Sequence, residues 1–245
     1  MSKSHSRSKV IQGLAEQLRR IERSQRRFVA ANGSATLSSG IRALDRLLPE
    51  EGFGRGTIVE WLADGQGTGV ATLAILAARQ AMTTGGAFVV IDPQQQFYPP
   101  AAAGWGINLD HTTIVRTNRT PDTLWALEQA LQCTGVAAAW CWVDRLNNRM
   151  FRRLQLAAEI GGGIGLLLRP AATRRGPSWA DVRLLVQPLP SQSDSCGRRL
   201  RIELLYCRGG MSGQSLELEI SDETSDVHLV PQLAAATCAE RAAGA

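Results

Sequence analysis

The sequence predicts an α/β fold of three layers. A mostly parallel central sheet is extended by antiparallel C-terminal strands and preceded by an N-terminal helix. Three observations carry this. Between residues 57 and 168, near-continuous apolar runs (TIVEWL, AFVVID, AAWCWVD, IGLLL) alternate with helix-patterned segments. Strands that are apolar on both faces belong in a sheet covered on both sides. Beyond residue 179 strand patterns continue with no helix between them, which predicts antiparallel pairing. Residues 10–31 contain no proline and repeat apolar residues at helical spacing.

The elements follow in order. Residues 1–9 read as a loose tail. Over 10–31, Ile11, Leu14, Leu18, Ile21 and Phe28 form one apolar stripe, and five arginines (Arg19, Arg20, Arg23, Arg26, Arg27) cover much of the remaining surface. Such a helix packs on its own domain or serves a partner; the pattern suits both. Residues 32–39 are a polar loop. Strands are predicted at 57–62, 87–92, 113–115, 138–144 and 164–168. Helices are predicted at 69–82, 121–132 and 148–160. Pro121 suits a first helical turn, and Gly161, Gly162 and Gly163 end the last helix. Strands at 182–186, 200–206 and 216–220 follow, with turns around 191–197 and 209–213. The Ala-rich end, 234–245, is frayed or weakly helical. Trp61, Trp105, Trp140 and Trp142 are expected in the core, and Trp125 in the core or at an interface. The organisation is an arm (1–36), a core domain (37–232) and a tail (233–245).

Composition narrows the function classes. The 245 residues are 44% hydrophobic and 20% charged, ordinary for a globular chain. No apolar run approaches the ~18 residues that span a bilayer, and MSKSHSRSK lacks a leader's apolar stretch. The expectation is a soluble cytoplasmic protein without membrane contact. Five cysteines without a CxxC pair and three scattered histidines argue against a disulfide framework, a metal centre or a His-based nucleophile system, and no cofactor is expected. The net charge of +5 is uneven. Residues 1–31 carry eight Lys/Arg against two Glu, and residues 145–175 carry seven Arg against Glu159. Basicity confined to two segments points to an acidic partner, nucleic acid first, or to two solvated faces.

The segment ADGQGTGVATLA follows the first core strand, where phosphate-binding loops lie. Fitting G-x-x-x-x-G-K-[ST] with Gly69 as the second glycine puts Asp64 at the first glycine. Val70 then stands at the lysine and Ala71 at the hydroxyl. Lysine neutralises terminal phosphates and the hydroxyl holds magnesium; Val70 and Ala71 do neither, and Asp64 adds repulsion. Gly65, Gly67 and Gly69 preserve a loop shape. A Gly-rich turn before a helix is, by itself, usually just a turn.

Several segments together resemble the RecA superfamily. LSSGIRALDRLLPEEGFGRGTIVE (37–60) looks like its lead-in to the first core strand. Thr72, Leu73 and Ala74 look like the helix start after its Walker A loop. AFVVIDP resembles the strand ending in its Asp-x-Glu, with Asp92 at the Asp and Gln94 at the water-activating Glu. Residues 98–115 are similar to its next helix and turn. Trp140 to Asp144 looks like Walker B, with Asp144 as its aspartate. In LLLRP, Arg169 replaces a nucleotide-sensing glutamine, and YCRGG resembles a late Arg-Gly segment. The resemblance spans roughly 37–210. With lysine, hydroxyl and glutamate positions all replaced, the pattern is most similar to the ImuA family, also grouped with SulA-like sequences.

That resemblance implies a RecA-like, P-loop-type core and an accessory role in the SOS response, translesion synthesis and mutagenesis. It implies partners: an ImuB-like polymerase homologue, an error-prone replicative-type DNA polymerase, RecA and possibly DNA. It implies no ATPase activity. The segments matching RecA's DNA loops hold Arg145, Arg149, Arg174 and Arg175, with Arg152 and Arg153 on the adjoining helix. They suit phosphate contacts or plain solvation. Arg208 stands where relatives carry a cation reaching a neighbouring subunit's nucleotide. Two alternatives stand: a divergent RecA/RadA-type ATPase, or a single-stranded-DNA-binding repair protein.

Overall fold

The computed structural model describes residues 36–65, 67–176, 178–190, 197–221 and 226–230. The predicted 10–31 helix, with Ile11, Leu14, Leu18, Ile21 and Phe28, and the 233–245 tail lie outside the described residues. A two-stranded antiparallel sheet, β1 (Thr36–Leu37) with β2 (Phe53–Gly54), leads in. It brackets α1 (Arg42–Asp45). The Asp45 carboxylate accepts from Ser38 Oγ at 2.6 Å and from the Ser39 amide at 2.7 Å, which fixes the turn between β1 and α1.

The main sheet has nine strands in the order β11-β10-β9-β8-β3-β7-β6-β4-β5. Its parallel part comprises β3 (Ile58–Ala63), β4 (Ala87–Ile91), β5 (Thr112–Val115), β6 (Val136–Trp142), β7 (Ile164–Pro170) and β8 (Val182–Leu189). The antiparallel part comprises β9 (Arg198–Cys207), β10 (Ser215–Ser221) and β11 (Asp226–Leu229). Helix α2 (Val70–Thr83) packs on one face with the short α3 (Pro99–Gly104). Helices α4 (Thr120–Gln132) and α5 (Asn148–Gly161) pack side by side on the other. Two apolar clusters fill the layers, and strand alternation divides residues between them. Val59, Trp61 and Ala63 join the α2 side, and Ile58 joins the α4–α5 side. Trp61, Trp105 and Trp140 are buried, Trp142 partly so, and Trp125 is exposed.

Local signals set the boundaries. The Asn147 side chain accepts from the Met150 amide at 2.8 Å and starts α5. Gly162, at φ 76, ends it. The α4–α5 seam is tightest at Gly161, where any Cβ would collide with the Leu131 carbonyl oxygen.

The strand at 182–186 differs from expectation. The sequence pattern predicts it in the antiparallel extension, but β8 runs parallel beside β3. The chain leaves the C-terminal end of β7 through a 3-10 turn (Ala171–Arg175), crosses β3 without an α-helix, and re-enters at the opposite end. Polar contacts hold this crossover over one face of β3. Ser178 Oγ donates to Glu60 at 2.9 Å, and the Asp181 amide donates to the Ile58 carbonyl at 2.9 Å. The antiparallel part begins only at β9. There, apolar Leu200, Ile202 and Leu204 alternate with Arg199, Arg201 and Glu203, so one face is buried and one charged.

Candidate functional site

The glycine-rich loop joins β3 to α2 at the C-terminal end of the sheet, where open α/β sheets bind ligands. Gly65, Gly67 and Gly69 all have positive φ, at 101°, 68° and 71°. At Gly69 the left-handed conformation coincides with close packing. A Cβ there would stand 3.1 Å from Leu200 Cδ1 and 3.2 Å from Ile220 Cδ1. Val70 is 4% exposed and belongs to the α2-side apolar cluster, together with Leu200 and Ile220. Ala71 faces solvent. The Asp64 amide donates to the Val186 carbonyl at 3.1 Å, and its carboxylate accepts from Gln187 Nε2 at 2.8 Å. Asp64 is thus tied to β8. From Asp64 to Ala71 the sequence supplies no cation.

Asp92, at the end of β4, is buried. Its two carboxylate oxygens accept from the amides of Gln96 (2.9 Å) and Phe97 (3.1 Å). It organises the turn out of the sheet. Gln94 beside it is exposed. The Cys141 thiol on neighbouring β6 is pushed up to about 12, by burial first and the Asp92 charge second. Asp144 lies two residues beyond β6 and faces solvent. Its near neighbour Trp142 donates Nε1–H to the Asp144 carboxylate at 3.2 Å.

The candidate DNA arginines do not stand as one free set. Arg153 is bidentate on Glu128 of α4, at 3.1 and 2.6 Å. Arg152 donates to Gln155 and lies 5.1 Å over the Trp179 ring. Arg174 reaches Glu203 at 3.0 Å. Arg149 and Arg175 are exposed and pair with none of the described residues.

Arg169 is buried on the α5 face of β7 and bonds to Glu60. Arg183 Nε donates to the same carboxylate, and its Nη2 reaches the Thr173 carbonyl at 3.4 Å. Glu60, and its pairing with Arg169 and Arg183, escaped sequence reasoning. The available signal was a single acid inside an apolar strand run, which demands buried partners. Arg208 pairs with Asp181 at 3.1 Å. Burial raises the Asp181 carboxyl above its ordinary value; the Ile58 amide and Arg208 pull it down, and Glu159 adds to the rise. Among the described residues no three His, Cys, Asp or Glu side chains are grouped to hold a metal ion, and no helix is long and apolar enough to cross a membrane.

Comparison with known proteins agrees with this geometry. No family model matches the chain. It is 34% identical to protein ImuA of Caulobacter vibrioides (strain NA1000 / CB15N) over 143 residues, 53% of this chain and 59% of that protein. It is 33% identical to protein RecA of Streptococcus pyogenes serotype M49 over 129 residues, 53% of this chain and 32% of RecA. The matched stretch thus spans less than two thirds of either relative. The crystal structure of the RadB recombinase superposes with a TM-score of 0.63 at 16% identity, covering 80% of this chain and all of RadB. The core is RecA-like, and the ImuA-like assignment implied by the motifs is supported.

Proposed function

We propose that this ImuA-like chain is a non-catalytic accessory protein of damage-induced translesion synthesis and mutagenesis. It acts through contacts with an ImuB-like polymerase homologue, an error-prone replicative-type polymerase and RecA in the cytoplasm. The observation that carries the reading is Val70. Where a RecA-type ATPase needs a lysine reaching into phosphate, an apolar side chain is buried in the α2-side cluster. Asp64, Gly65, Gly67, Gly69, Ala71 and Asp144 then serve as a structural turn and its neighbour, with no nucleotide to bind.

The outer face of the α4–α5 layer supports action by contact. Trp125 is 62% exposed, and Leu156, Ile160 and Trp179 also show substantial apolar surface. Exposed apolar side chains beside arginines Arg152 and Arg153 have the make-up of a protein interface. The decisive experiment pairs two measurements. Purified chain is assayed for ATP turnover with and without single-stranded DNA, and for co-elution with purified ImuB-like protein and RecA. Co-elution without turnover is expected. Turnover that a Gly69 substitution abolishes would sink the proposal.

A further inference from the structure

Arg42 opens α1, and Arg46 follows its last residue. A spacing of four sets both on one face of the turn. Both are exposed and make no side-chain hydrogen bond or ion pair with the described residues. The helical course then ends at Leu48, which is extended before Pro49. Had it continued, Glu50 would stand one turn past Arg46 and pair with it. Instead Glu50 and Glu51 take left-handed φ of 55° and 54°. These acids are also exposed and pair with none of the described residues.

Cations and anions without partners thus stand side by side. Arg42, Arg46 and Glu51 line one open cleft of about 610 Å³, with Ser38 and with Gln80 of α2. Asp45 lines it too, but its carboxylate is already engaged by Ser38 and the Ser39 amide. An apolar element borders the acids. The β9–β10 hairpin comes against Pro49, where a Cβ at Gly210 would stand 3.0 Å from Pro49 Cγ. The next residue, Met211, is 70% exposed. This hairpin lies at the end of the sheet where β3 and β8 begin, away from the Gly-rich loop.

We propose that this patch joins two copies of the chain about a two-fold axis. The Glu50–Glu51 turn of each copy enters the cleft of the other, where its carboxylates meet Arg42 and Arg46. The two Met211 side chains supply the apolar centre. A two-fold contact uses the same patch twice, so it needs a surface complementary to itself. A patch with its cations and anions held apart meets that need. Glu50 and Glu51 repel a polyanion, and Arg42 and Arg46 repel a polycation, so neither a nucleic acid strand nor a basic segment fits. The chain carries +5, and two copies approach with least repulsion where the local charges cancel. Methionine suits the centre because its flexible side chain fills irregular gaps. The contact closes at two copies. It goes beyond the accessory reading: α1 packs on the α2 side of the sheet, so each copy keeps its α4–α5 face open on the other side.

A contact of this kind is weak, so the full chain is followed by sedimentation velocity over about 1–100 µM. A reversible dimer is expected, and added salt should loosen it. Arg42→Glu/Arg46→Glu brings acids against acids, and Glu50→Arg/Glu51→Arg brings cations against cations. Each should raise the dimer Kd about tenfold or more. Mixed together, the two reversed variants are complementary again. They should form a heterodimer with a Kd within about threefold of the original. Glu50→Asn/Glu51→Asn removes the charge with a residue that tolerates left-handed φ, and it should also weaken the dimer. It keeps the test valid if Glu50→Arg/Glu51→Arg does not fold, which circular dichroism checks for each variant. The proposal is overturned if the unaltered chain stays monomeric throughout, or if the folded variants dimerise as well as it does, which would mark a contact elsewhere. It is also overturned if the folded reversed variants fail to associate when mixed.

Discussion

Glu60 of β3 and Arg169 of β7 form an ion pair whose side chains are 0% and 4% exposed. Arg183 and Ser178 close around the same carboxylate. Removing one member of a buried pair leaves an uncompensated charge and costs about 3–5 kcal/mol. Glu60→Ala should therefore lower stability by that order in urea unfolding. Ser178→Ala, which removes one neutral donor, should cost only about 1 kcal/mol. Equal effects would mean that Glu60 is not the centre of this cluster.

Restoring the phosphate-loop lysine should not restore an ATPase. Val70→Lys puts an ammonium into the α2-side apolar cluster, where Val70 is buried. The expected penalty is about 3 kcal/mol, read as a Tm lowered by roughly 6–12 °C. ATP turnover should stay at background. A stable, hydrolysing Val70→Lys variant would contradict the packing described.

The helix seam supplies a third prediction. Gly161→Ala adds one methyl group against the Leu131 carbonyl, a rigid backbone atom. α4 and α5 must separate to admit it, at a cost of about 1–3 kcal/mol. Gly162 has open space around it but holds a left-handed φ of 76°, so Gly162→Asn should be tolerated better than Gly162→Val. Thermal unfolding of the three variants gives the ranking.

The pH dependence of stability carries a signature of Asp181. Burial raises its folded pKa above the ordinary 3.8, so the folded chain takes up this proton at a higher pH than the unfolded chain does. Its contribution is most favourable below 3.8 and is lost as pH rises through the folded value. Asp181→Asn keeps an acceptor for the Ile58 amide and removes the titration. It should narrow the stability difference between pH 4 and pH 7 measured by urea titration. The Arg208 pair it gives up is more than half exposed on the arginine side and contributes little.

The buried thiols should be inert. With Cys141 pushed up to about 12 and Cys207 also raised by burial, neither forms thiolate near neutrality. Iodoacetamide at pH 8 should leave both unmodified in native protein and label both in urea, as read by peptide mass mapping. Because the folded thiol resists ionisation, stability from Cys141 is lost as pH climbs above its ordinary 9.0.

The parallel strands were legible because burial on both faces writes itself as an unbroken apolar run, as in AFVVI of β4. The last helix was legible from Gly162, whose conformation few other residues adopt at low cost. The position of β8 was not, since a crossover without an α-helix leaves no 3.6-residue period to read. Nor were the partners of Glu60: an acid in a strand announces a need for cations without naming Arg169 or Arg183.

The placement of β3 has a consequence for biosynthesis. Glu60 finds its partners 109 and 123 residues downstream, and the same holds for both edges of its strand. A ribosome therefore extrudes the central ribbon of this protein long before anything exists to flank it. Until β7 and β8 emerge, an apolar segment interrupted only by Glu60, with open hydrogen-bonding edges, travels unprotected, the kind of nascent stretch that chaperones shelter.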